Sequence, residues 1–231
     1  MPKDILIFKR IEKKYPTDIK TAEKLLNTLE GLLKDDKYSH STVCSTYLDT
    51  PDRLLIRNSI DAKVYKEKLR IRHYGQLTDD SRLFFEIKKK YKGVVYKRRE
   101  VMTANEVSDY IFNRHIPFDS QIMRELDCTM ARYGYPLPAA FIAYERDAYI
   151  FAKDPSVRIT LDRNIRYRFD SLFPTKSNDG TPLLSDDQVI LEIKTPGGMP
   201  LELAHALDKL KLYPTSFSKY GRAYAAAFDT L

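Results

Sequence analysis

Cations and carboxylates recur at a spacing of two along five stretches of this chain, with apolar residues between them. In Lys66-Glu67-Lys68-Leu69-Arg70-Ile71-Arg72 every even position is basic, while Glu67, Leu69 and Ile71 share the other face. Arg82-Leu83-Phe84-Phe85-Glu86-Ile87-Lys88 keeps its charges even and Leu83, Phe85 and Ile87 odd. Val157-Arg158-Ile159-Thr160-Leu161-Asp162 and Val189-Ile190-Leu191-Glu192-Ile193-Lys194 repeat the arrangement, and Arg10-Ile11-Glu12-Lys13-Lys14-Tyr15 is a looser version. Arg offers a bidentate, permanently charged grip on an anion and Lys a point charge, whereas carboxylates suit hard divalent cations.

Alternation of this kind means half-buried β-strand. An ordinary amphipathic sheet carries mixed polar residues on its wet face, but here Arg and Lys dominate. Side chains directly opposite on paired strands lie roughly 5 Å apart, and like charges there repel. A cationic face of this extent is costly unless a polyanion sits on it. On the strands alone two readings stay open, a plain solvated face and a polyanion site.

The chain has 231 residues, a formal net charge of +7 and a pI near 9.2, and 43% hydrophobic residues suffice for a core. With no low-complexity run it reads as one domain, 1–231, and Thr175-Lys176-Ser177-Asn178-Asp179-Gly180-Thr181-Pro182 is a loop between strands. The charge favours nucleic acid, an anionic membrane surface or phosphorylated small molecules, without choosing among them. Cys44 and Cys128 lie in no metal-ligand spacing and read as small buried residues. Met1-Pro2-Lys3-Asp4 opens no apolar signal region and no run reaches transmembrane length, so the expectation is a soluble cytoplasmic protein. There is no Walker loop or Rossmann fingerprint, and His40, His73, His115 and His205 are too scattered for a His-based site.

Strands are expected at 5–15, 43–49, 66–74, 82–91, 94–101, 140–151, 157–163 and 189–195. Helices are expected at 18–33 with Asp18 as N-cap, 104–114, 120–133, 201–212 and 218–228. Strands in adjacent pairs with few crossover helices favour an antiparallel sheet, and eight strands suffice to close a barrel. The expected fold is α+β, a closed antiparallel eight-stranded β-barrel with flanking helices. If helices cover the apolar side, the charged side lines a cationic tunnel.

The order of the motifs resembles the triphosphate tunnel metalloenzymes, and within them the polyphosphate polymerase domain of the vacuolar transporter chaperone (VTC) family. It runs from Arg10-Ile11-Glu12-Lys13-Lys14-Tyr15 through Ser45-Thr46-Tyr47-Leu48-Asp49-Thr50, Leu69-Arg70-Ile71-Arg72 and Phe85-Glu86-Ile87-Lys88. It continues through Tyr144-Glu145-Arg146, Val157-Arg158-Ile159-Thr160-Leu161-Asp162, Leu191-Glu192-Ile193-Lys194 and Ser218-Lys219-Tyr220. The resemblance implies that Lys14, Arg70, Arg72, Lys88, Arg146 and Arg158 grip phosphate, with Lys97, Arg99 and Lys219 in addition. Glu192 is the implied metal ligand, with Glu12 and Glu86 as partners, for Mn²⁺ or Mg²⁺. Asp49 and Asp162 are read as pairing with neighbouring arginines, with assisting the metal as the alternative, and Lys89 as solvated.

One departure stands out. The superfamily often opens with Glu-x-Glu-x-Lys, and the first of those positions is Arg10, which shifts the balance towards the polymerase-like branch. Eukaryotic VTC proteins also carry a phosphate-sensing domain and membrane helices, for which these residues hold no matching segment. The implied activity is transfer of the ATP γ-phosphoryl group to inorganic polyphosphate. A tripolyphosphatase or nucleoside triphosphatase is the alternative, and a non-catalytic polyphosphate- or RNA-binding module is a third. No nucleic-acid partner is expected, because Phe85 and Tyr149 fall on the apolar side of their strands and not on an exposed stacking platform.

Overall fold

The structure is a computed structural model that describes residues 11–62, 64–78, 81–92, 94–173 and 175–228. Arg10 and the start of the first expected strand lie outside the described residues. The strands are β1 (Ile11–Asp18), β2 (Leu33–Asp49), β3 (Tyr65–Tyr74), β4 (Leu83–Tyr91), β5 (Val94–Met102), β6 (Leu137–Phe151), β7 (Asp154–Arg168), β8 (Thr181–Pro182) and β9 (Gln188–Thr195). They form one antiparallel sheet in the order β1-β9-β7-β6-β2-β3-β4-β5, with β8 added to β7.

The helices are α1 (Ile19–Thr28), α2 (Leu54–Asp61), α3 (Ala104–Asn113), α4 (Gln121–Arg132), α5 (Leu201–Lys209) and α6 (Lys219–Phe228). Asp18 caps α1, its carboxylate accepting from Thr21 N at 2.8 Å, and Thr103 with Glu106 closes a capping box on α3. Apolar strand faces point outward beneath the helices. Tyr15, Ile159, Leu161, Leu191 and Ile193 pack under α1 and α5, while Leu69, Ile71, Leu83, Phe85 and Ile87 pack under α3 and α4. Phe85 is fully buried and Tyr149 joins the first cluster, as their strand parity requires. The charged face of the sheet is therefore its inner face.

The expected closed barrel does not form. The ladder begins at β1 and ends at β5, and among the described residues these two edges do not pair. The free edge of β1 is already engaged, since Thr215 N, just ahead of α6, donates to Lys14 O at 2.8 Å. The sheet nevertheless curls until Lys88 Nζ on β4 comes within 3.4 Å of Glu12 on β1. Side chains span the seam where backbone pairing stops.

Other expectations are revised. β2 starts at Leu33 and not at Val43; its first half pairs with β6 but is charged and lacks the alternation that marks a strand in sequence. Among the described residues Asp49 pairs with no arginine; it is 2% exposed and caps α2, accepting from Leu55 N at 2.8 Å and Ile56 N at 3.0 Å. Lys89 is not simply solvated but lies 3.4 Å from the buried Glu67 on the outer face. Cys44 is buried as expected, whereas Cys128 is exposed. The loop at 175–182 ends in β8, and Arg168 straps it to β7 through the carbonyls of Ser177 and Asp179.

Candidate functional site

Register places the charged side chains opposite one another along the inner face. On β1, Glu12 faces Lys194 and Lys14 faces Glu192 of β9; Lys194 and Glu192 in turn face Arg158 and Thr160 of β7. Asp162 of β7 faces Arg146 of β6. Across the sheet, Lys68 and Arg70 of β3 face Lys88 and Glu86 of β4, which face Lys97 and Arg99 of β5. Cations well outnumber carboxylates on this surface.

The four carboxylates organise three groups. Asp162, with no exposed side-chain surface, accepts from Arg146 Nε at 2.6 Å and Nη2 at 2.8 Å and also from Lys219. Glu86 accepts from Arg70 Nε at 2.7 Å and pairs with Lys97, and Arg72 Nε lies 4.0 Å away. Glu12 and Glu192 form the third group. Lys14 Nζ lies 3.5 Å from Glu12 and 3.7 Å from Glu192, Lys194 pairs with Glu192, and Lys88 reaches Glu12.

The start of α6 closes one end. Lys14 Nζ donates to Phe217 O at 2.9 Å and Lys68 Nζ to Ser218 Oγ at 2.8 Å. Ser218 Oγ accepts from Gly221 N, as an N-cap does, and Lys219 projects to Asp162. Tyr220 stacks on Tyr47 with ring centroids 4.7 Å apart, and its hydroxyl donates to Asp49 at 3.0 Å. Each residue of Ser218-Lys219-Tyr220 thus ties the helix to a different strand.

Electrostatics follow from burial and crowding. Burial would raise the carboxyl of Glu86, but Arg70, Arg72 and Lys97 hold it well below the usual range. Glu192 is held low in the same way, burial being outweighed by Lys194, Lys14 and Arg146. Burial lowers Lys219, and Asp162 more than compensates, so its ammonium is stabilised. Lys68 is pushed down to about 8 by burial and then by Lys88 and Lys14. Burial would raise the Tyr47 phenol, yet Arg70, Lys68 and Arg72 outweigh it and bring it down to about 7.

These last two shifts set a pH dependence. Both folded values lie below the unfolded ones of 10.5 for Lys68 and 10.0 for Tyr47, so between about pH 7 and 10 the unfolded chain binds more protons. Stability from this source is complete above the unfolded values and is lost as pH falls through about 8 and 7. Over the same window Lys68 loses its charge, so affinity for an anion such as tripolyphosphate falls as stability rises. Denaturant titration and calorimetry at pH 7 and pH 9 are expected to give these opposite trends; parallel trends would contradict the assignment.

Of the residues singled out by sequence, Lys14, Arg70, Arg72, Lys88, Lys97, Arg146, Lys219, Glu12, Glu86 and Glu192 all lie in these groups. Two stand apart. Arg158 Nε lies 2.7 Å from Asp36 in the irregular part of β2, and Arg99 places its guanidinium 5.0 Å from the Phe84 ring centroid. Sequence reading missed Lys68 and Lys194, which continue runs already recognised as charged. It also missed Tyr144, whose ring takes Lys219 at 4.3 Å and Arg146 at 5.1 Å, an arrangement visible only once the register is known.

Among the described residues, no three His, Cys, Asp or Glu side chains form a ready-made metal cluster. Glu12 and Glu192 both lie against Lys14, and Thr160 Oγ1, opposite Glu192, is buried without a hydrogen-bond partner. Such oxygen donors fit Mg²⁺ or Mn²⁺, which keep waters and complete their shells with substrate phosphates. Glu86 lies instead against three cations, Arg70, Arg72 and Lys97.

The fold recurs in solved structures. A candidate adenylate cyclase of Bacillus halodurans superposes with a TM-score of 0.59 at 13% identity, over 93% of this chain and 96% of that one. A Hippeastrum protein named as a candidate adenylyl cyclase with dominant triphosphatase activity gives 0.53 at 16% identity, over 94% of each chain. A candidate adenylate cyclase of Vibrio parahaemolyticus gives 0.50 at 13% identity, over 95% of this chain and 99% of that one. No curated protein matches the sequence. The VTC domain profile matches residues 7–228, which include every residue of the cationic inner face from Glu12 to Lys219, and the chain belongs to the VTC domain family.

Proposed function

We propose that the protein transfers the γ-phosphoryl group of ATP to the end of an inorganic polyphosphate chain lying along the inner face. The observation that carries this reading is the meeting of Lys14, Lys88, Arg70, Arg72, Arg146 and Lys219 on one surface, with too few carboxylates to neutralise them. A linear polyanion supplies the missing charge. Residues 1–231 are taken as one VTC-like domain carrying this site.

In the transfer, the bond from the γ-phosphorus to the β,γ-bridging oxygen breaks and one forms to a terminal oxygen of the chain, releasing ADP. The acceptor oxygen is already ionised, so no general base is needed. Positioning and charge neutralisation supply most of the rate. Arg70, Arg72 and Arg146 neutralise the equatorial oxygens and Lys97 extends the cationic path, while Arg158, beside Asp36, and Arg99, beside Phe84, flank it. Lys88 and Lys219 orient the chain, Lys219 beside the Tyr144 ring. Glu86 and Asp162 act as positioning residues that fix their arginines, so Glu86, expected as a metal ligand, is assigned to orientation. Glu12 and Glu192 would hold a divalent ion, Mn²⁺ or Mg²⁺, which supplies further neutralisation of phosphate oxygens when bound.

The seam between β1 and β5, unpaired among the described residues, favours one second reading, since water reaching the lumen would turn transfer into triphosphate hydrolysis. Incubation of the purified protein with ATP and Mn²⁺, resolved by gel and phosphorus NMR, separates the readings. A ladder of phosphate chains with ADP is expected. Orthophosphate without chains would establish the hydrolase, and tight polyphosphate binding without turnover would establish a binding module. Among the described residues no helix is long and apolar enough to cross a membrane.

A further inference from the structure

Phe84 breaks the charge pattern of β4. It occupies an even position, so it shares the inner face with Glu86 and Lys88 while Leu83 and Phe85 fill the outer core. Its register partners are Arg72 on β3 and Val101 on β5. Tyr74, 47% exposed, meets it edge-on with ring centroids 5.8 Å apart and planes at 77°. The Arg99 guanidinium carbon lies 5.0 Å from the Phe84 centroid. Among the described residues, neither ring joins a hydrophobic core cluster.

The position of this trio along the inner face is fixed by register. On β3, Lys68 is tied to Ser218 at the end closed by α6, then Arg70, Arg72 and Tyr74 follow in steps of two away from it. Phe84 stands opposite Arg72, the last arginine of that row. An aromatic platform with a guanidinium thus begins where the phosphate-gripping row of β3 ends. Rings in that setting have a π-face for a flat ligand, and Arg stacks on the same kind of surface.

We propose that Tyr74, Phe84 and Arg99 hold the base of a nucleoside triphosphate whose phosphates run inward past Arg72 to Arg70. The inference rests on the phosphate-chain reading above and makes the inner face two subsites, an aromatic rim for the donor's base and a cationic interior for phosphates. It explains why Arg99 turns from its register partner Glu86 towards Phe84. Because every base has a π-face, the rim selects nucleotides over inorganic chains more strongly than one base over another.

Calorimetric titration of ATP and, separately, tripolyphosphate into wild-type protein, Phe84→Ala and Tyr74→Ala in EDTA tests it. Loss of one stacking partner weakens ATP binding by about tenfold. Tripolyphosphate binding is expected to stay within about twofold in both variants. Equal weakening of the two ligands would assign the rings to structure, and unchanged ATP affinity in both variants would leave the base elsewhere; either overturns the subsite. Tripolyphosphate failing to bind wild-type protein would overturn the phosphate-chain reading, and the subsite with it. Tyr74→Ala, at an exposed side chain, keeps the test valid if Phe84→Ala misfolds.

Discussion

Asp162→Asn is expected to lower the melting temperature by about 10 °C, and tripolyphosphate is expected to restore more of it than it adds to the wild type. The carboxylate is wholly buried between Arg146 and Lys219, with the Arg146 pairing bidentate. Removing one partner of a buried ion pair costs about 3–5 kcal/mol, because the cations left behind have no water to turn to. For a chain of this size each kcal/mol moves the midpoint by roughly 2–4 °C. A phosphate chain brings anionic oxygens to those stranded cations, so bound ligand compensates for the missing charge. Ligand-induced stabilisation is a mass-action effect of binding the folded state, so the comparison is made at one ligand concentration and one ionic strength. A large thermal loss with no extra response to ligand would mean that Arg146 and Lys219 do not face the phosphate path.

Glu192→Gln is expected to reduce metal-dependent turnover by about two to three orders of magnitude, as loss of one electrostatic contributor to a transition state does. Metal-free tripolyphosphate binding should hold or tighten. The wild-type carboxylate is stabilised as an anion by Lys194, Lys14 and Arg146, so its neutralisation raises the net positive charge of the site. Opposite movements of turnover and affinity separate a metal-holding role from a structural one. Parallel losses would show that Glu192 serves to orient Lys14 and Lys194.

Much of the inner face was legible because strand parity is a local property. Arg70 and Arg72 alternate with Leu69 and Ile71, and Glu192 with Leu191 and Ile193, so neighbouring residues alone assign each side chain to a face. Which acid meets which cation was not legible. Glu12, Glu86 and Glu192 look alike in sequence, yet β1 pairs with β9 and β4 lies at the other end of the sheet, so Glu86 meets Arg70, Arg72 and Lys97 while Glu12 and Glu192 share Lys14. Those partnerships depend on pairings between strands far apart in the chain.

The open edge and the missed elements have similar causes. Parity and strand number allow a barrel, but closure depends on whether the last edges find each other, and the Thr215 hydrogen bond already engages β1. α2 was hidden because Arg53-Leu54-Leu55-Ile56-Arg57 offers no side-chain cap of its own; its N–H groups are satisfied by Asp49, several residues upstream on β2. Lys89 read as solvated because its partner Glu67 lies on the adjacent strand's buried face.

The most direct measurement is calorimetric titration of tripolyphosphate into metal-free wild-type protein and Lys88→Met, with Lys20→Met on the exposed face of α1 as control. Lys88 spans from β4 to Glu12 across the seam, so a phosphate chain on the inner face must meet it. Tight binding to the wild type and the control, weakened at least about tenfold in Lys88→Met, is the result expected when a charge-assisted hydrogen bond is removed from a desolvated site. Absence of binding to the wild type, or equal affinity in all three proteins, would contradict a phosphate chain on the inner face.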